Sequence, residues 1–216
     1  MIGAAAAAAI LGLSRLIGGG KGTPSASSSP GGRVPDFSGR FPVLYVEKSI
    51  PAVAPEKWTV EVGGLVEQEL TIDHEQWTAL PHVAYTKDFH CVEGWSVDDV
   101  DWAGVRVSEI LSLAKPRPEG KFVNFLAHGG KYADDLTMAQ AVHADTLLAD
   151  GFEGVPLSPE HGGAVRLVIP SQLGYKNVKW VVRLEVTAER HPGYWEQRGY
   201  PVEAPIAMAQ GMQRRL

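Results

Sequence analysis

The 216-residue sequence contains a single cysteine, Cys91. No internal disulfide can brace the fold, and the chain holds neither a Cys-x-x-Cys-His haem attachment site nor the cysteine set of an iron–sulfur cluster. An excess of basic residues is also missing. Twenty Lys and Arg stand against 25 Asp and Glu, for a formal charge of -5, and this argues against a nucleic-acid partner, because phosphate binding needs a clustered cationic surplus. No apolar run reaches the roughly 20 residues that span a bilayer as a helix. What remains is ordinary globular material, 44% hydrophobic and 21% charged, enough for one domain with a sizeable core.

Residues 1–33 differ in kind from the rest. Residues 1–13 are almost entirely Ala, Ile, Leu and Gly, and residues 23–32 are rich in Pro, Ser and Gly. This reads as the remains of an export signal or membrane tether followed by a flexible linker. It predicts an extracytoplasmic protein held by its N-terminus. The cytoplasm is the alternative, since only Arg15 stands in the leader where a twin-arginine signal has a pair. Residues 34–200 read as the folded domain and 201–216 as a C-terminal tail.

Within the body, 15 prolines, 24 glycines and six tryptophans favour short strands and turns over a helical bundle. Residues 58–62 alternate apolar and polar, and with the Gly63-Gly64 turn and Leu65-Val66 they predict a hairpin. Residues 71–80 predict a short helix capped by Thr71 or Asp73 and ended by Pro81. Residues 107–114 and 137–149 predict two more helices, and residues 164–170 and 178–186 two strands. On the first of these strands Ala164, Arg166 and Val168 share one face, opposite Val165, Leu167 and Ile169. Taken alone, Arg166 would sit on the solvated side of an edge strand.

Three segments carry chemistry. Residues 89–96, Phe-His-Cys-Val-Glu-Gly-Trp-Ser, put Cys91 just before a glycine turn, although a lone cysteine is more often a small buried apolar residue than a ligand. Residues 161–166, His-Gly-Gly-Ala-Val-Arg, set two glycines between two cationic side chains. Residues 175–180, Tyr-Lys-Asn-Val-Lys-Trp, add two lysines and an amide. Glycines let backbone N–H groups approach an anion, and Arg and Lys supply charge-assisted hydrogen bonds. Together these segments suit a phosphate-bearing ligand.

In order along the chain, residues 91–96, the Trp-Ala-Gly-Val run at 102–105, residues 161–166 and Lys179-Trp180 resemble the signature of the sulfite oxidase and molybdopterin-dependent oxidoreductase family, over residues 40–200. The resemblance implies an α+β fold of mostly antiparallel mixed sheets with short helices, and a molybdenum–molybdopterin cofactor. Cys91 matches the family's metal-binding, catalytic cysteine. His161 and Arg166 match the pair at the pterin and its phosphate, Lys176, Asn177 and Lys179 match a second anchoring segment, and Arg40 begins an N-terminal segment that lines the same site. The loop at residues 125–132 departs from the usual pattern by an apparent one-residue insertion, which leaves His128 and Tyr132 outside this set.

Sulfite oxidases and plant-type nitrate reductases of this family follow the cysteine with Ala-Gly-Asn-Arg-Arg, whose arginine helps bind an oxyanion. Here Glu93 and Trp95 follow instead. A carboxylate near the metal disfavours sulfite or nitrate, and an indole offers an apolar wall. The resemblance is therefore nearer the bacterial sulfoxide reductases and implies removal of an oxygen atom from an S-oxide or N-oxide. Oxidation of a small sulfur oxyanion is the alternative reaction, and a metal-free binding or scaffold module is the alternative of another class. Electrons must come from a separate partner, a membrane haem protein in the resembling system. Larger family members carry a C-terminal dimerisation domain that has no counterpart here, so a monomer is expected.

Overall fold

The computed structural model describes residues 41–210 and 214–215. The leader and Arg40 lie outside the described residues. In chain order the elements are β1 (Val60–Gly64), β2 (Leu70–Ile72), α1 (His74–Ala79), β3 (His82–His90), β4 (Trp95–Arg106) and α2 (Val107–Ala114). They continue through β5 (Phe122–Ala127), β6 (Ala133–Thr137), α3 (Met138–Ala141), β7 (Leu147–Phe152), β8 (Val155–Pro156), β9 (Arg166–Val168), β10 (Val181–Thr187), α4 (Ala207–Gln210) and β11 (Arg214–Arg215). Among the described residues no helix is long and apolar enough to cross a membrane.

The strands form two sheets. One runs in the order β2-β1-β10-β5-β6, the other is built on β11-β4-β7-β8, with β3 against β4 and β9 against β7. Every pairing is antiparallel except β1 with β10 and β11 with β4. The expected mixed α and β fold of mostly antiparallel sheets is the one observed.

The short β9 joins the two sides of the core. Val165, Leu167 and Ile169 enter the larger apolar cluster with Phe125, Val181 and Leu184. Val168, on the opposite face, packs in a second cluster with Phe41, Phe89, Trp102 and Phe152. The alternation read from the sequence holds from Val165 to Ile169, whereas Ala164, outside β9, packs with the larger cluster, and both faces are interior. Arg166 is not on a solvated edge. It is 3% exposed, because β9 lies against β7 at Ala149 and turns that face toward Trp102 and Phe89.

Several local expectations are sharpened. Asp73 caps α1 through a reciprocal capping box with Gln76, which satisfies two N-terminal donors. α2 spans the predicted residues 107–114. The hairpin exists as β1 paired with β2, with Gly63 and Gly64 ending the first strand and the loop falling later. The helix predicted over 137–149 is corrected. Thr137 and Gln140 form a capping box, but only Met138–Ala141 is helical. Leu147, Leu148 and Ala149 instead enter β7, where all three are fully buried between β4 and β9. Residues beyond 200, read as a tail, pack on the body: Ala204 and Ala209 are buried against Leu173 and Tyr175, and Leu173 N–H donates to Ala204 O at 2.9 Å.

Candidate active site

β3 and β4 form a long hairpin, and Cys91 begins the short loop that joins them. Its N–H donates to Trp95 O at 2.9 Å, and Gly94 N–H donates back to Cys91 O at 3.1 Å. Across the hairpin, His90 Nδ1 and Ser96 Oγ are hydrogen-bonded at 2.8 Å. The thiol is thus held by a closed loop. It is 7% exposed and lines a cavity of about 320 Å³.

Aromatic rings build one wall of this cavity. Phe41 is buried with its ring 4.6 Å from Phe89, 5.9 Å from Trp95, 5.6 Å from Phe152 and 5.6 Å from His161. Trp95 stacks on Phe89 at 5.8 Å, so this indole serves both core and cavity. Burial pushes the Cys91 thiol up to about 11, and the Glu93 carboxylate adds to the rise against the pull of backbone N–H groups at Glu93 and Val92. A proton therefore stays on sulfur near neutral pH unless a soft metal takes its place.

The turn from residue 158 to 166 builds the second wall. His161 is buried, with Nδ1 3.0 Å from Ser158 Oγ and Nε2 3.4 Å from Phe41 O. A carbonyl only accepts, so Nε2 has the proton and Nδ1 accepts from the hydroxyl. Burial holds His161 below its ordinary pKa, with Arg166 and Lys179 acting in the same sense, in keeping with this neutral form. Gly162 follows with φ +105°, and a Cβ there would lie 2.9 Å from Lys179 Cγ and 3.0 Å from Arg166 Cβ. Only glycine lets the two cationic stems approach this closely.

Arg166 donates from Nη1 to His161 O at 2.8 Å, and its guanidinium lies over Trp102 at 5.1 Å and Phe89 at 5.9 Å. No carboxylate pairs with it among the described residues, and its Nε is buried without a hydrogen-bond partner. An orphaned buried donor costs about 1–3 kcal/mol. Burial pulls Arg166 down to about 10. Lys179, on the same cavity, is pulled down to about 7 by burial and then by Arg166, while its Nζ donates to Glu160 O at 3.0 Å. Two adjacent cations without carboxylate partners, one with a spare donor, make a site for an anion.

Cys91, His161, Arg166, Asn177 and Lys179 line this one cavity. Asn177 also braces it, accepting from Ile169 N–H at 2.9 Å and donating to Leu173 O. Lys176 does not line it. The tight 3-10 turn at Gly174–Lys176 turns this side chain the other way, into a fully buried ion-paired cluster with Asp134 and Glu196. Lys176 anchors the cavity wall from behind. Tyr132 does line the cavity, with its hydroxyl donating to Tyr175 O at 2.5 Å, whereas His128 packs on Trp58. Tyr175 and Trp180, the ends of the 175–180 segment, also line the cavity, and Glu47, Trp195 and Tyr200 join them with no local motif. The positions of these last three come from long-range packing.

A family model described as oxidoreductase molybdopterin binding domain matches residues 47–195. The chain belongs to that family. This molybdopterin-binding oxidoreductase is 35% identical over 176 residues to the uncharacterized oxidoreductase YuiH of Bacillus subtilis, covering 80% of this chain and 88% of YuiH. It is 32% identical over 157 residues to the protein-methionine-sulfoxide reductase catalytic subunit MsrP of Campylobacter jejuni, covering 65% of this chain and 52% of MsrP. Among solved structures, the sulfane dehydrogenase SoxCD from Paracoccus pantotrophus matches with a TM-score of 0.63 at 19% identity, over 81% of this chain and 57% of that one. The oxidoreductase thus spans about half of MsrP and of the SoxCD chain, and the SoxCD likeness establishes the fold alone.

The residues present fit the group that the family binds. A thiol that can become a soft metal ligand opens onto the cavity that has the two cations, and the unpartnered Arg166 Nε and the Gly162 cradle are what a phosphate-bearing pterin would complete.

Proposed function

We propose that this oxidoreductase holds molybdenum through Cys91 and removes an oxygen atom from an S-oxide or N-oxide, with electrons from a separate redox partner. The observation that carries the reading is the placement of Cys91 on the same cavity as the Arg166 and Lys179 pair, with Glu93 beside the thiol. His161, Arg166, Asn177 and Lys179 would hold the pterin and its phosphate. When bound, the molybdenum–pterin group supplies two-electron oxygen-atom exchange that no side chain here can perform.

The chain's own residues supply position and field. The hairpin loop fixes Cys91, the neutral His161 donates from Nε2, and the Phe41, Phe89 and Trp95 rings exclude water from the thiol. The Glu93 Oε2 accepts from Trp95 Nε1–H at 3.2 Å, so the carboxylate is tethered at the cavity and repels anions such as sulfite or nitrate. With one cysteine, the chain has no second redox centre of haem c or iron–sulfur type. The name of MsrP supports a sulfoxide substrate, and the apolar leader supports an extracytoplasmic setting near a membrane electron donor.

The test is a steady-state assay on cofactor-loaded protein with a reduced viologen dye and a sulfoxide, beside sulfite with an electron acceptor. Sulfoxide reduction without sulfite oxidation is expected. Ready oxidation of sulfite with no sulfoxide reduced would overturn the reading.

A further inference from the structure

The cavity is lined by charges of both signs, and they differ in exposure. Arg166 is buried and Lys179 partly so, whereas Glu93 and Glu160 are exposed at the mouth. Glu47 is a third carboxylate on the lining, with Oε2 accepting from Val46 N–H at 3.2 Å and Oε1 buried without a partner. None of the three forms an ion pair among the described residues. Glu93, two residues from Cys91, accepts from Trp95 Nε1–H at 3.2 Å, and Glu47 and Glu160 line the same cavity as Lys179. Tyr45, exposed on the lining, together with Trp195 and Tyr200, adds aromatic faces of the kind that hold a cation.

An anionic ligand on Arg166 and Lys179 neutralises the inner cations and leaves the mouth with unbalanced negative charge. We propose that this mouth selects S-oxides or N-oxides that bear a positively charged group, such as an alkylammonium, near the reducible oxygen, with Glu93 and Glu160 as specificity-determining residues. The inference rests on the oxygen-removal reading above. In the reaction a sulfoxide takes up two electrons and two protons and gives the sulfide and one water: the sulfur–oxygen bond breaks, sulfur gains the electron pair, and oxygen leaves as water. The electrons come from a one-electron donor, and the cationic group is unchanged. A unit charge about 6 Å from a carboxylate, in the half-solvated dielectric of an open mouth, changes affinity about tenfold, and salt screens it.

The test uses three methyl alkyl sulfoxides of equal length ending in trimethylammonium, its neutral isostere tert-butyl, or carboxylate, with reduced viologen as donor to the loaded enzyme. The expected order of kcat/KM is cation over neutral by about tenfold, then anion, with the spread collapsing in Glu93→Gln/Glu160→Gln and at about 0.5 M salt. Equal values for the three, or a spread that survives both the double variant and salt, would overturn the proposal. Should the double variant fail to fold, the salt dependence of the wild type decides alone. The matching redox-inert sulfones, titrated calorimetrically, separate the two readings. A cation-first order of Kd supports charge selection even if no sulfoxide turns over, and an equal or reversed order overturns it even if all three do.

Discussion

Gly162→Ala puts a single methyl group where the anion cradle is narrowest. Two costs arise. With φ at +105°, the backbone is outside the range a side-chain-bearing residue adopts readily, which costs about 1–2 kcal/mol. The new Cβ would also stand 2.9 Å and 3.1 Å from Lys179 Cγ and Cβ, and 3.0 Å from Arg166 Cβ, and overpacking of this kind costs about 1–3 kcal/mol more. Gly154 separates the two costs, since it has φ +77° with nothing within 4 Å of an added methyl. Gly154→Ala therefore has the backbone cost alone, a fall in Tm of about 2–8 °C, and Gly162→Ala adds the packing cost, for a fall of about 4–20 °C. Because the added methyl forces the two cations apart, Gly162→Ala should also weaken binding of inorganic phosphate to the cofactor-free protein by about tenfold or more, the loss of one charge-assisted hydrogen bond. Thermal unfolding and phosphate titration of both variants check this. If Gly162→Ala melts no lower than Gly154→Ala and binds phosphate like the wild type, the cradle argument is wrong.

Three further outcomes follow from the same geometry. Lys179 is depressed in the folded state to about 7 while the unfolded chain retains an ordinary lysine, so the cost of burying its charge is fully present below pH 7. That cost is relieved as pH rises toward 10, and stability should climb over this window in the cofactor-free wild type but not in Lys179→Met, followed by urea denaturation. Affinity for sulfate, whose charge is constant over this range, should move the opposite way, falling as pH rises through about 7 because the anion loses its cation, and titrations at pH 6 and 8.5 read this directly. Lys176→Met should cost about 3–5 kcal/mol by leaving the buried Asp134 and Glu196 carboxylates without their cation. Replacing both acids with their amides in the same chain should recover part of that loss, and denaturant midpoints check it.

The legible part of the site is what is local in sequence. Cys91 sits in a closed hairpin loop, and the loop shows as a glycine three residues after the cysteine. The two-residue period of 164–169 puts Arg166 on the opposite face from Val165, Leu167 and Ile169, and the packing agrees. What the period cannot tell is that both faces are interior, because β7 supplies the second cover from a distant part of the chain. The same blindness explains residues 147–149: a short apolar run reads equally as helix or buried strand, and pairing with β4 and β9 decides. Lys176 reads as a cavity residue beside Asn177 and Lys179, yet the 3-10 turn at Gly174–Lys176 turns it the other way, and its partners stand 42 and 20 residues away. Trp195 and Tyr200 reach the cavity by such long-range contacts, which no short motif records, and the apparent insertion in the 125–132 loop hides Tyr132.

The central claim is that Cys91 and the Arg166–Lys179 pair serve one metal–pterin group. The most direct measurement is elemental analysis of the protein purified from cells that make the molybdenum cofactor, beside Cys91→Ala and Arg166→Met prepared identically. The wild type should hold close to one molybdenum per chain, Cys91→Ala should lose the metal, and Arg166→Met should be depleted of pterin and metal together. Wild-type protein without molybdenum, or Cys91→Ala that keeps its full complement, would contradict that claim.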